Sequence, residues 1–445
     1  MVIMVERKIK TYYDVVCPFC GTLCDDLEID VDEKEQKVIE VRNGCQIGTR
    51  KFFSSNPSDH RYMSPLIREN GSYKEISWDE AIDKSADILA KAKRPLLYGF
   101  ASTECEAQSK GVELAEILGG VLDNTASVCH GPTLLAEQDV GVPTSTLGEY
   151  KNRADLVIFW GCNPVHAHPR HLGRYSDFVR GYFRQDGRND RYIIVVDPRN
   201  THTAQIADLY IKVNPNEDYE LMNAIRATLR GVEIDQKEVA GVSKEDIIKL
   251  TNIMKKSNYG VIFFGMGLTQ SISHHRNIDT AVCLTRELND YTKFSITPMR
   301  GHYNITGSNT VFTWNTGYAY SIDFTRGYPR YNPGEFSAVD VLLRDEIDAS
   351  LIVASDPASN FPAAAVRNMF KHPIISIEPH HTPTSVNADI ILPAAFAGIE
   401  TEGTAYRMDH VPLRLRKVKN PPGETLPDRE ILEKLIEKVR EKKGE

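Results

Sequence analysis

The segment SVCHGPT, residues 127–133, places a thiol and an imidazole side by side ahead of a Gly-Pro turn. A thiolate is a soft ligand suited to molybdenum, tungsten, iron or zinc, and an adjacent imidazole can move protons near neutral pH. Cys129 and His130 are therefore candidates for a metal ligand and a proton carrier. Either residue taken alone is more often a packing residue. The functional interpretation of the pair therefore depends on other motifs in the chain.

Four further cysteines lie near the start of the chain with the spacing C-x2-C-x3-C, followed by twenty residues and a fourth cysteine. They are Cys17, Cys20, Cys24 and Cys45. Four thiolates are the ligand set of a [4Fe-4S] cluster, and a closely spaced trio on a Gly-containing loop favours that cluster. A structural zinc site is the alternative, but zinc modules usually pair two separated C-x2-C units. The segment between the third and fourth cysteine alternates like a small β-hairpin.

The composition excludes several classes of protein. The chain has 445 residues, of which 41% are hydrophobic and 26% charged, and a net charge of -8 with dispersed basic residues. It shows neither the ~18-residue apolar run of a membrane helix nor a nucleic-acid footprint. The opening MVIMVERKIK is too short and too charged for a signal peptide and lacks twin arginines, so we expect a cytoplasmic protein with no membrane and no nucleic-acid partner. Its eight cysteines indicate metal binding or catalysis.

From residue 77 the pattern becomes that of an α/β protein. A capping box at Ser77 and Glu80 begins a helix, and an apolar strand follows at 95–101. The next helix ends at Gly119, ahead of the loop that carries Cys129. The sequence therefore places Cys129 on a connection between elements.

Continuous apolar runs are typical of parallel strands buried on both faces. They occur at 155–164, 191–199, 351–357, 373–379 and 389–395. Ligands of open α/β sheets bind beyond the carboxyl ends of such strands. Asn163, Asp197 and Arg199 are therefore candidates for nucleotide binding, because Asp can accept hydrogen bonds from ribose hydroxyls and Arg suits phosphate.

Several segments taken together resemble the molybdopterin oxidoreductase superfamily, which contains the formate dehydrogenases. They are the early four-cysteine site, SVCHGPT at 127, WGCNPVHAHPR at 160, VVDPRNTHTAQIAD at 195, GMGLTQ at 265, TPMRGHYNITG at 297 and ADIILPAA at 388. In that family, Cys or selenocysteine followed by His is the metal ligand and proton carrier. The resemblance implies catalytic roles for Cys129, His130 and Arg300, the arginine of a TPxRGxxN motif, whose charge would orient formate.

The resemblance also implies the cofactors. They are a tungsten or molybdenum ion with two molybdopterin guanine dinucleotides and Cys129 as a protein ligand, and a [4Fe-4S] cluster on Cys17, Cys20, Cys24 and Cys45 that relays electrons. Two groups of residues resemble the family's cofactor contacts: Asn163, His168, Asp197, Arg199 and Thr201 for one guanine dinucleotide, and Met266, Gly267 and Gln270 for the pterins. Alternatively, His168 has a structural role and only stabilises the loop on which it lies. A zinc site on His166, His168 and His171 is disfavoured by the intervening prolines.

The expected fold class is α/β, with a small N-terminal β-rich [4Fe-4S] domain followed by doubly wound, Rossmann-like domains that share a cofactor cleft. We expect the iron-sulfur domain at 1–65 and one pterin dinucleotide-binding domain at 66–240 with part of 375–445. A second such domain is expected at 241–374. The terminal KVREKKGE is expected to be solvated or frayed.

The length after ADIILPAA bears on function, because only about fifty residues follow it here. Formate dehydrogenase catalytic chains usually continue into a pterin-binding β-barrel domain. The resemblance therefore favours a CO2-reducing catalytic subunit with three kinds of partner: a separate pterin-binding β-barrel subunit, a zinc amidohydrolase-like subunit that condenses formate onto a carrier, and ferredoxin-like electron-transfer subunits. A short formate dehydrogenase is the alternative.

A non-catalytic electron-relay subunit is the alternative from another class, and the presence of Cys129, His130 and Arg300 argues against it. One departure from the family concerns electron transfer. Many formate dehydrogenases have Lys two residues after the last cluster cysteine, where this chain has Ile47. Arg50 and Lys51 are the candidate replacements.

Overall fold

The structure is a computed structural model that describes residues 8–444, so residues 1–7 of the charged opening segment lie outside the described residues. Its strands are β1 (Ile9–Val15), β2 (Leu27–Asp32), β3 (Lys37–Arg42), β4 (Leu66–Glu69), β5 (Ser72–Glu75), β6 (Pro95–Gly99), β7 (Val121–Asn124), β8 (Leu156–Trp160), β9 (Tyr192–Val196), β10 (Leu209–Ile211), β11 (Glu238–Val239), β12 (Val242–Ser243), β13 (Tyr259–Phe264), β14 (Lys293–Pro298), β15 (Ile322–Asp323), β16 (Arg330–Tyr331), β17 (Ala349–Val353), β18 (Ile374–Glu378), β19 (Ile390–Pro393), β20 (Gly403–Tyr406) and β21 (Pro412–Leu415). Its helices are α1 (Gln46–Ser54), α2 (Trp78–Lys91), α3 (Cys105–Leu118), α4 (Gly131–Val140), α5 (Leu147–Arg153), α6 (Pro164–Ala167), α7 (His171–Arg174), α8 (Asp218–Leu229), α9 (Lys244–Lys256), α10 (Met266–Thr269), α11 (His275–Leu288), α12 (Ile305–Thr316), α13 (Ala338–Leu343), α14 (Pro357–Asn360), α15 (Ala363–Met369) and α16 (Asp428–Lys443).

The described chain divides into two compact units. Unit 1 takes the residues up to Ser127, His302–Arg407 and the residues from Pro412 onward, whereas unit 2 takes Val128–Gly301 and Met408–Val411. Within the part of the chain that is described, no helix is long and apolar enough to cross a membrane.

Unit 1 contains a three-stranded antiparallel sheet, β1-β2-β3, and a nine-stranded sheet in the order β16-β15-β7-β6-β17-β18-β19-β4-β5. The strands from β7 to β19 in that order are parallel to one another, and the chain runs outward in both directions from the pair β6 and β17. The pair β6 and β17 is thus the topological switch point of this sheet, where α/β proteins bind ligands.

Unit 2 is built on a five-stranded sheet in the order β10-β9-β8-β13-β14, and all of its neighbouring strands are parallel. Leu156, Ile158 and Trp160 of β8 pack in one core cluster, while Val157 and Phe159 pack in the cluster on the opposite face. This double burial explains why the sequence shows a continuous apolar run and not an alternating one. The switch point lies between β8 and β13.

A turn held by two side-chain hydrogen bonds follows β9 in unit 2. The Thr201 hydroxyl accepts a hydrogen bond from the Ala204 N–H at 3.1 Å. The Asp208 carboxylate accepts one from the Ile193 N–H at 2.7 Å, which ties the turn back to the start of β9. A single 3-10 turn, Ala204–Ile206, lies between these two anchors.

The same structure follows β18 in unit 1. The Thr382 hydroxyl accepts a hydrogen bond from the Ser385 N–H at 3.0 Å, and the Asp389 carboxylate accepts one from the Ile374 N–H at 2.8 Å. A 3-10 turn, Ser385–Asn387, again separates the anchors. The chain therefore carries an internal structural repeat, one copy in each doubly wound sheet.

Several local predictions are confirmed. The segment between the third and fourth cysteine is the hairpin β2-β3. Ser77 caps α2 by accepting a hydrogen bond from the Glu80 N–H, and Gly119 ends α3 in the left-handed conformation, with φ +65°. The fold is α/β with several sheets, as expected.

Two expectations differ from the structure. The predicted boundaries at 66–240 and 241–374 do not coincide with the two units, because β13 and β14 pair with β8 and not with β17. The terminal segment is helical up to Lys443 and therefore not frayed, although most of its side chains are exposed or half-buried, as expected of a solvated end. Val439, within the segment, is fully buried among apolar neighbours.

A buried ion triad in unit 1 gives a first prediction. The Glu400 carboxylate accepts hydrogen bonds from both terminal nitrogens of Arg61 and lies 3.1 Å from Lys419 Nζ, and all three side chains are fully buried. Replacing Glu400 with Ala leaves two buried cations unpaired, so we expect a loss of about 3–5 kcal/mol of stability, measured by thermal unfolding. The matched control is Glu402→Ala, which breaks an exposed pair with Arg414 and should cost under ~1 kcal/mol. Equal effects of the two changes would contradict a structural role for the triad.

Candidate active site

Cys129 and His130 lie at the start of α4, on the connection that the sequence predicted. His130 is almost completely buried, and its Nδ1 lies 3.1 Å from the Thr133 hydroxyl one turn further along. Its Nε2 is also buried and has no hydrogen-bond partner among residues 8–444. The hydrogen bond at Nδ1 thus fixes the imidazole, and Nε2 is left available to a ligand.

Burial controls the charge of both groups. It raises the pKa of the Cys129 thiol to about 11, although the nearby Arg300 charge opposes this shift. Burial, the Arg300 charge and His168 lower the pKa of His130 to about 3, which a backbone contact with Met299 opposes. Burial therefore favours the neutral thiol, and a bound metal cation would favour the thiolate form that acts as a metal ligand.

Arg300 follows β14 and its side chain is fully buried. Its Nη2 lies 3.3 Å from Glu137 Oε1, while its Nε and Nη1 have no partner within the described chain. The Arg300 carbonyl accepts a hydrogen bond from His168 Nε2 at 2.8 Å. His168 is therefore a backbone anchor for Arg300, although its Nδ1 also lacks a partner among the residues described.

The Cys129 carbonyl is held from a different element. It accepts hydrogen bonds from the Thr269 hydroxyl and from Gln270 Nε2, each at 2.9 Å. Both donors belong to the turn that α10 forms after β13. Gln270, predicted as a pterin contact, thus fixes the Cys129 loop in this structure, and Thr269 is a second positioning residue that the sequence did not single out.

Two glycines bring the ends of β8 and β13 together at the switch point of unit 2. A Cβ on Gly267 would lie 2.6 Å from Gly161 Cα, and Gly161 itself has a φ of +58° that disfavours other residues. The Gly267 N–H donates to the Gly161 carbonyl at 2.9 Å. Gly267 therefore has a packing role, whereas the adjacent Met266 is half exposed and accessible to a ligand.

The predicted nucleotide residues lie at the carboxyl ends of β8 and β9. Asn163 Oδ1 accepts a hydrogen bond from the Thr203 hydroxyl at 2.6 Å. Asp197 is buried, which raises the pKa of its carboxyl, and its Oδ1 accepts from the Arg199 N–H at 2.8 Å. The Arg199 side chain is 80% exposed, and its Nε lies 3.9 Å from Asp197 Oδ1. The guanidinium is therefore available to an external anion, while Thr201 is engaged in its own turn.

Unit 1 offers an equivalent set at its own sheet edge. Asp356, after β17, accepts a hydrogen bond from the Thr384 hydroxyl at 2.6 Å, as Asn163 does from Thr203 in unit 2. Glu378, at the end of β18, stands where Asp197 stands in the other copy. Desolvation raises the pKa of the Glu378 carboxyl to about 7, although the Lys51 charge opposes the shift. Internal alignment of the two strand-ending segments could have found this set in the sequence.

The four early cysteines belong to unit 1. Cys17, Cys20 and Cys24 lie on the connection between β1 and β2, and Cys45 caps α1, its Sγ accepting from the Gly48 N–H at 3.3 Å. A Cβ at Gly48 would lie 2.9 Å from the Cys17 Sγ and 3.5 Å from the Cys45 Sγ, so glycine leaves room beside both sulfurs. Burial, and then the other three cysteines, raise the pKa of the Cys17 thiol.

No three His, Cys, Asp or Glu side chains in the described part of the chain are arranged to hold a metal ion. The four-cysteine cluster therefore remains a prediction. The three histidines weighed as a zinc site have separate partners: His166 pairs with His202, His168 with the Arg300 carbonyl and His171 with Ser176.

Sequence reasoning missed Glu137 and His410. Glu137 lies on α4 seven residues after His130, a spacing that places both on one helix face and that could have identified it. His410 belongs to the four-residue segment Met408–Val411 that groups with unit 2, and burial followed by the Arg300 charge lowers its pKa to about 4. The sequence gives no local signal for His410, because the assignment depends on tertiary structure.

These features agree with the family comparison. A family model described as molybdopterin oxidoreductase matches residues 61–438, and the chain belongs to the molybdopterin oxidoreductase family. The chain is 54% identical to a subunit of the tungsten-containing formylmethanofuran dehydrogenase 2 of Methanocaldococcus jannaschii, over 97% of this chain and 99% of that relative. The corresponding protein of Methanococcus maripaludis is 52% identical, over 98% and 100%. The predicted family resemblance is confirmed.

More distant relatives include formate dehydrogenase H of Escherichia coli, which is 25% identical over 95% of this chain but 68% of that relative. A chain in the crystal structure of the formyltransferase/hydrolase complex from Methylorubrum extorquens superposes with a TM-score of 0.70 at 20% identity, covering 86% of this chain and 100% of that chain. Acetylene hydratase from Pelobacter acetylenicus gives a TM-score of 0.71 at 14% identity, over 96% and 69%. These two structures establish likeness of fold alone.

The residues of unit 2 fit an anionic cofactor that carries a soft metal. Cys129 offers a thiol next to a buried imidazole nitrogen and two buried guanidinium nitrogens, His130 Nε2 and Arg300 Nε and Nη1, that have no partner in residues 8–444. Unpartnered buried polar atoms are costly, so a bound group that accepts from them would stabilise the site. After the carboxyl end of β9 in the same unit, Arg199 is exposed and suits phosphate.

Proposed function

We propose that the chain is the catalytic redox subunit of a formylmethanofuran dehydrogenase and interconverts CO2 and formate at a tungsten or molybdenum centre. The observation that carries this proposal is the 54% identity, over nearly the full length of both chains, to a protein of that name. In addition, the Arg300 charge acts on both Cys129 and His130, which places the three residues together. The chain is 54% and 52% identical to the two relatives of that name but 25% identical to formate dehydrogenase H, which favours this function over a short formate dehydrogenase.

Cys129 would ligate the metal in this proposal. Once bound, the metal with two pyranopterin guanine dinucleotides supplies the two electrons that no side chain can supply. The protein's task is to hold the thiolate in place, and the hydrogen bonds from Thr269 and Gln270 to the Cys129 carbonyl do this from the β13 side of the sheet. A fixed ligand loop preserves the geometry on which the reaction rate depends.

His130 and Arg300 would act on the substrate. The Nε2 of His130 is buried without a partner in the described chain, and the low pKa of the imidazole means that it would pass on the proton that CO2 reduction consumes and not store it. The Arg300 guanidinium would donate charge-assisted hydrogen bonds from Nε and Nη1 to the oxygens of formate. Because the Arg300 side chain is fully buried, water competes poorly for these donors.

The strand ends would bind the two dinucleotides. In unit 2, Asn163, Asp197, Arg199 and Thr201 would contact one guanine dinucleotide, with the Asp197 carboxylate accepting from hydroxyl or N–H groups and Arg199 binding phosphate. Met266 and Gln270 would contact the pterin, with Gly267 allowing close packing beneath them. The structural repeat supports a second dinucleotide at the equivalent edge of unit 1.

The four early cysteines would hold a [4Fe-4S] cluster that delivers electrons. Of the two candidates that could replace the usual lysine, Arg50 is exposed. Burial lowers the pKa of Lys51, and the charges of Glu378 and Cys17 oppose this shift, so the Lys51 ammonium interacts with one of the predicted cluster ligands. We therefore favour Lys51 as the residue beside the cluster.

Three kinds of partner would complete the enzyme. The formate that this chain produces would be condensed with methanofuran by a zinc amidohydrolase-like subunit. A pterin-binding β-barrel subunit would cover the cofactor, and ferredoxin-like subunits would supply electrons. The two relatives at 54% and 52% identity are themselves named as subunits of a larger enzyme, which supports such an assembly.

Metal and pterin analysis of the complex purified from its source tests this proposal. We expect about one tungsten or molybdenum atom per chain, iron, guanine dinucleotide released on denaturation, and CO2-dependent oxidation of a low-potential donor. Iron without stoichiometric tungsten or molybdenum would instead support a non-catalytic relay subunit. Activity of this chain free of barrel and hydrolase subunits would support a short formate dehydrogenase.

A further inference from the structure

One charged group beside the site has no role in the function proposed above. Glu137 lies on α4, and three positions at this helix, His130, Thr133 and Glu137, follow one another at intervals of three and four residues. Side chains at such intervals lie along one face of a helix. Thr133 contacts His130, and Glu137 reaches Arg300, so a single face of α4 holds both residues that would meet the substrate.

Glu137 is the only ion-pair partner of Arg300 within the described residues, with Nη2 3.3 Å from Oε1. The arginine side chain is completely buried and the glutamate side chain is 20% exposed. A buried cation needs a counter-charge, because desolvation of an unpaired ion costs several kcal/mol. The other hydrogen bonds at Arg300 are made by its backbone: the N–H donates to the Pro298 carbonyl at 3.2 Å, and the carbonyl accepts from His168 Nε2. Neither bond compensates the guanidinium charge.

We infer that Glu137 is a positioning residue that orients Arg300 and offsets its charge, and that it thereby sets how strongly the site holds formate relative to CO2. This inference rests on the proposed function. Formate is a monoanion and would share the guanidinium with the Glu137 carboxylate, whereas CO2 is neutral. The carboxylate therefore weakens formate binding and speeds product release without weakening the approach of CO2.

The contact with Glu137 uses only part of the Arg300 guanidinium, so Arg300 can be held in place and still donate hydrogen bonds to a ligand. Glu137 engages one hydrogen of Nη2, and Nε and Nη1 keep their hydrogens free of any partner in residues 8–444. A guanidinium has five donor hydrogens, so it can bind a carboxylate of the protein and a carboxylate ligand at once. A lysine in the same place could not hold such a fixed two-sided geometry.

The test is formate binding to the purified complex by isothermal titration calorimetry, compared with steady-state kinetics in both directions. Glu137→Gln keeps the size of the side chain and removes its charge, so we expect formate to bind about tenfold tighter. The KM for formate should fall by a similar factor and kcat for CO2 reduction should fall, while the KM for CO2 stays near its wild-type value. A merely structural residue would not produce tighter anion binding.

Asp139→Asn is the matched control, since it removes the same charge from an exposed position two residues further along α4. It should leave formate affinity unchanged. Glu137→Asp keeps the charge on a shorter side chain that cannot reach Arg300 as well, and it should bind formate about threefold tighter. This variant decides the question if Glu137→Gln lowers the Tm of the complex.

The two hypotheses fail in different ways. Unchanged or weaker formate affinity in both Glu137 variants, with wild-type affinity measurable, overturns the role of Glu137 alone. A wild-type complex that holds tungsten or molybdenum but neither binds formate nor interconverts it with CO2 overturns the proposed function.

Discussion

A Cys129→Ala variant is expected to lose CO2 reduction and formate oxidation completely. The methyl group of alanine cannot ligate a metal, and the other two cysteines of unit 2 lie on other elements. Cys162 donates to the Phe263 carbonyl at 3.3 Å, and Cys283 lies within α11. The measurement is activity of the purified complex together with its tungsten or molybdenum content and the EPR signal expected from the proposed [4Fe-4S] cluster.

The iron-sulfur signal should persist in the Cys129→Ala variant, because Cys17, Cys20, Cys24 and Cys45 are untouched. Cys283→Ala is the control, since it removes a thiol from a packed helix and should keep full activity. Full activity in the Cys129 variant would remove this residue from the metal site.

An Arg300→Lys variant is expected to lose at least about 100-fold in kcat/KM for formate, the usual cost of removing one preorganised donor from a polar site. Lysine keeps the positive charge but is a compact point charge without the planar fork, so it cannot donate to Glu137 and to a substrate in fixed directions. The loss should appear in kcat as well as in KM, because the interaction strengthens as charge develops on the substrate oxygens.

Arg191→Lys is the matched control for the cost of losing a buried guanidinium. Arg191 donates to the carbonyls of Lys151, Val179 and Gly187, and therefore holds loops of unit 2 in place. This change should lower the Tm and leave turnover per folded molecule near the wild-type value. If Arg300→Lys behaves in the same way, Arg300 has a structural role only.

The sheet strands were predictable because their signal is local. The run LVIFW of β8 has both faces covered, since alternate residues pack into two different core clusters, and a sequence of that kind identifies a buried parallel strand. The predicted domain boundary at 240 was not at a unit boundary, because no local pattern states that β13 returns to pair with β8 across about a hundred residues. Pairing of distant strands is decided by tertiary structure.

The site residues divide in a similar way. Cys129, His130 and Arg300 were recognised from motifs, and the charge coupling of Arg300 to both of the others agrees with that grouping. Glu137 was missed because a glutamate on a helix next to polar residues looks like a solvated surface group. Gln270 and His168 were predicted as site residues, but only the structure reveals that each hydrogen-bonds to a backbone carbonyl, since residue type alone does not predict such a bond.

The turn repeated after β9 and after β18 has diverged in its surroundings. One copy presents Asp197 beside a solvent-exposed arginine, whereas the other presents Glu378 with the Lys51 ammonium among its charged neighbours. Two chemically identical ligands bound beside these two turns would experience different electrostatic environments. Their ionisable groups would therefore differ in pKa, and the ligands would differ in electron affinity. The two copies of this turn would therefore give two otherwise identical ligands different electrostatic surroundings within one polypeptide.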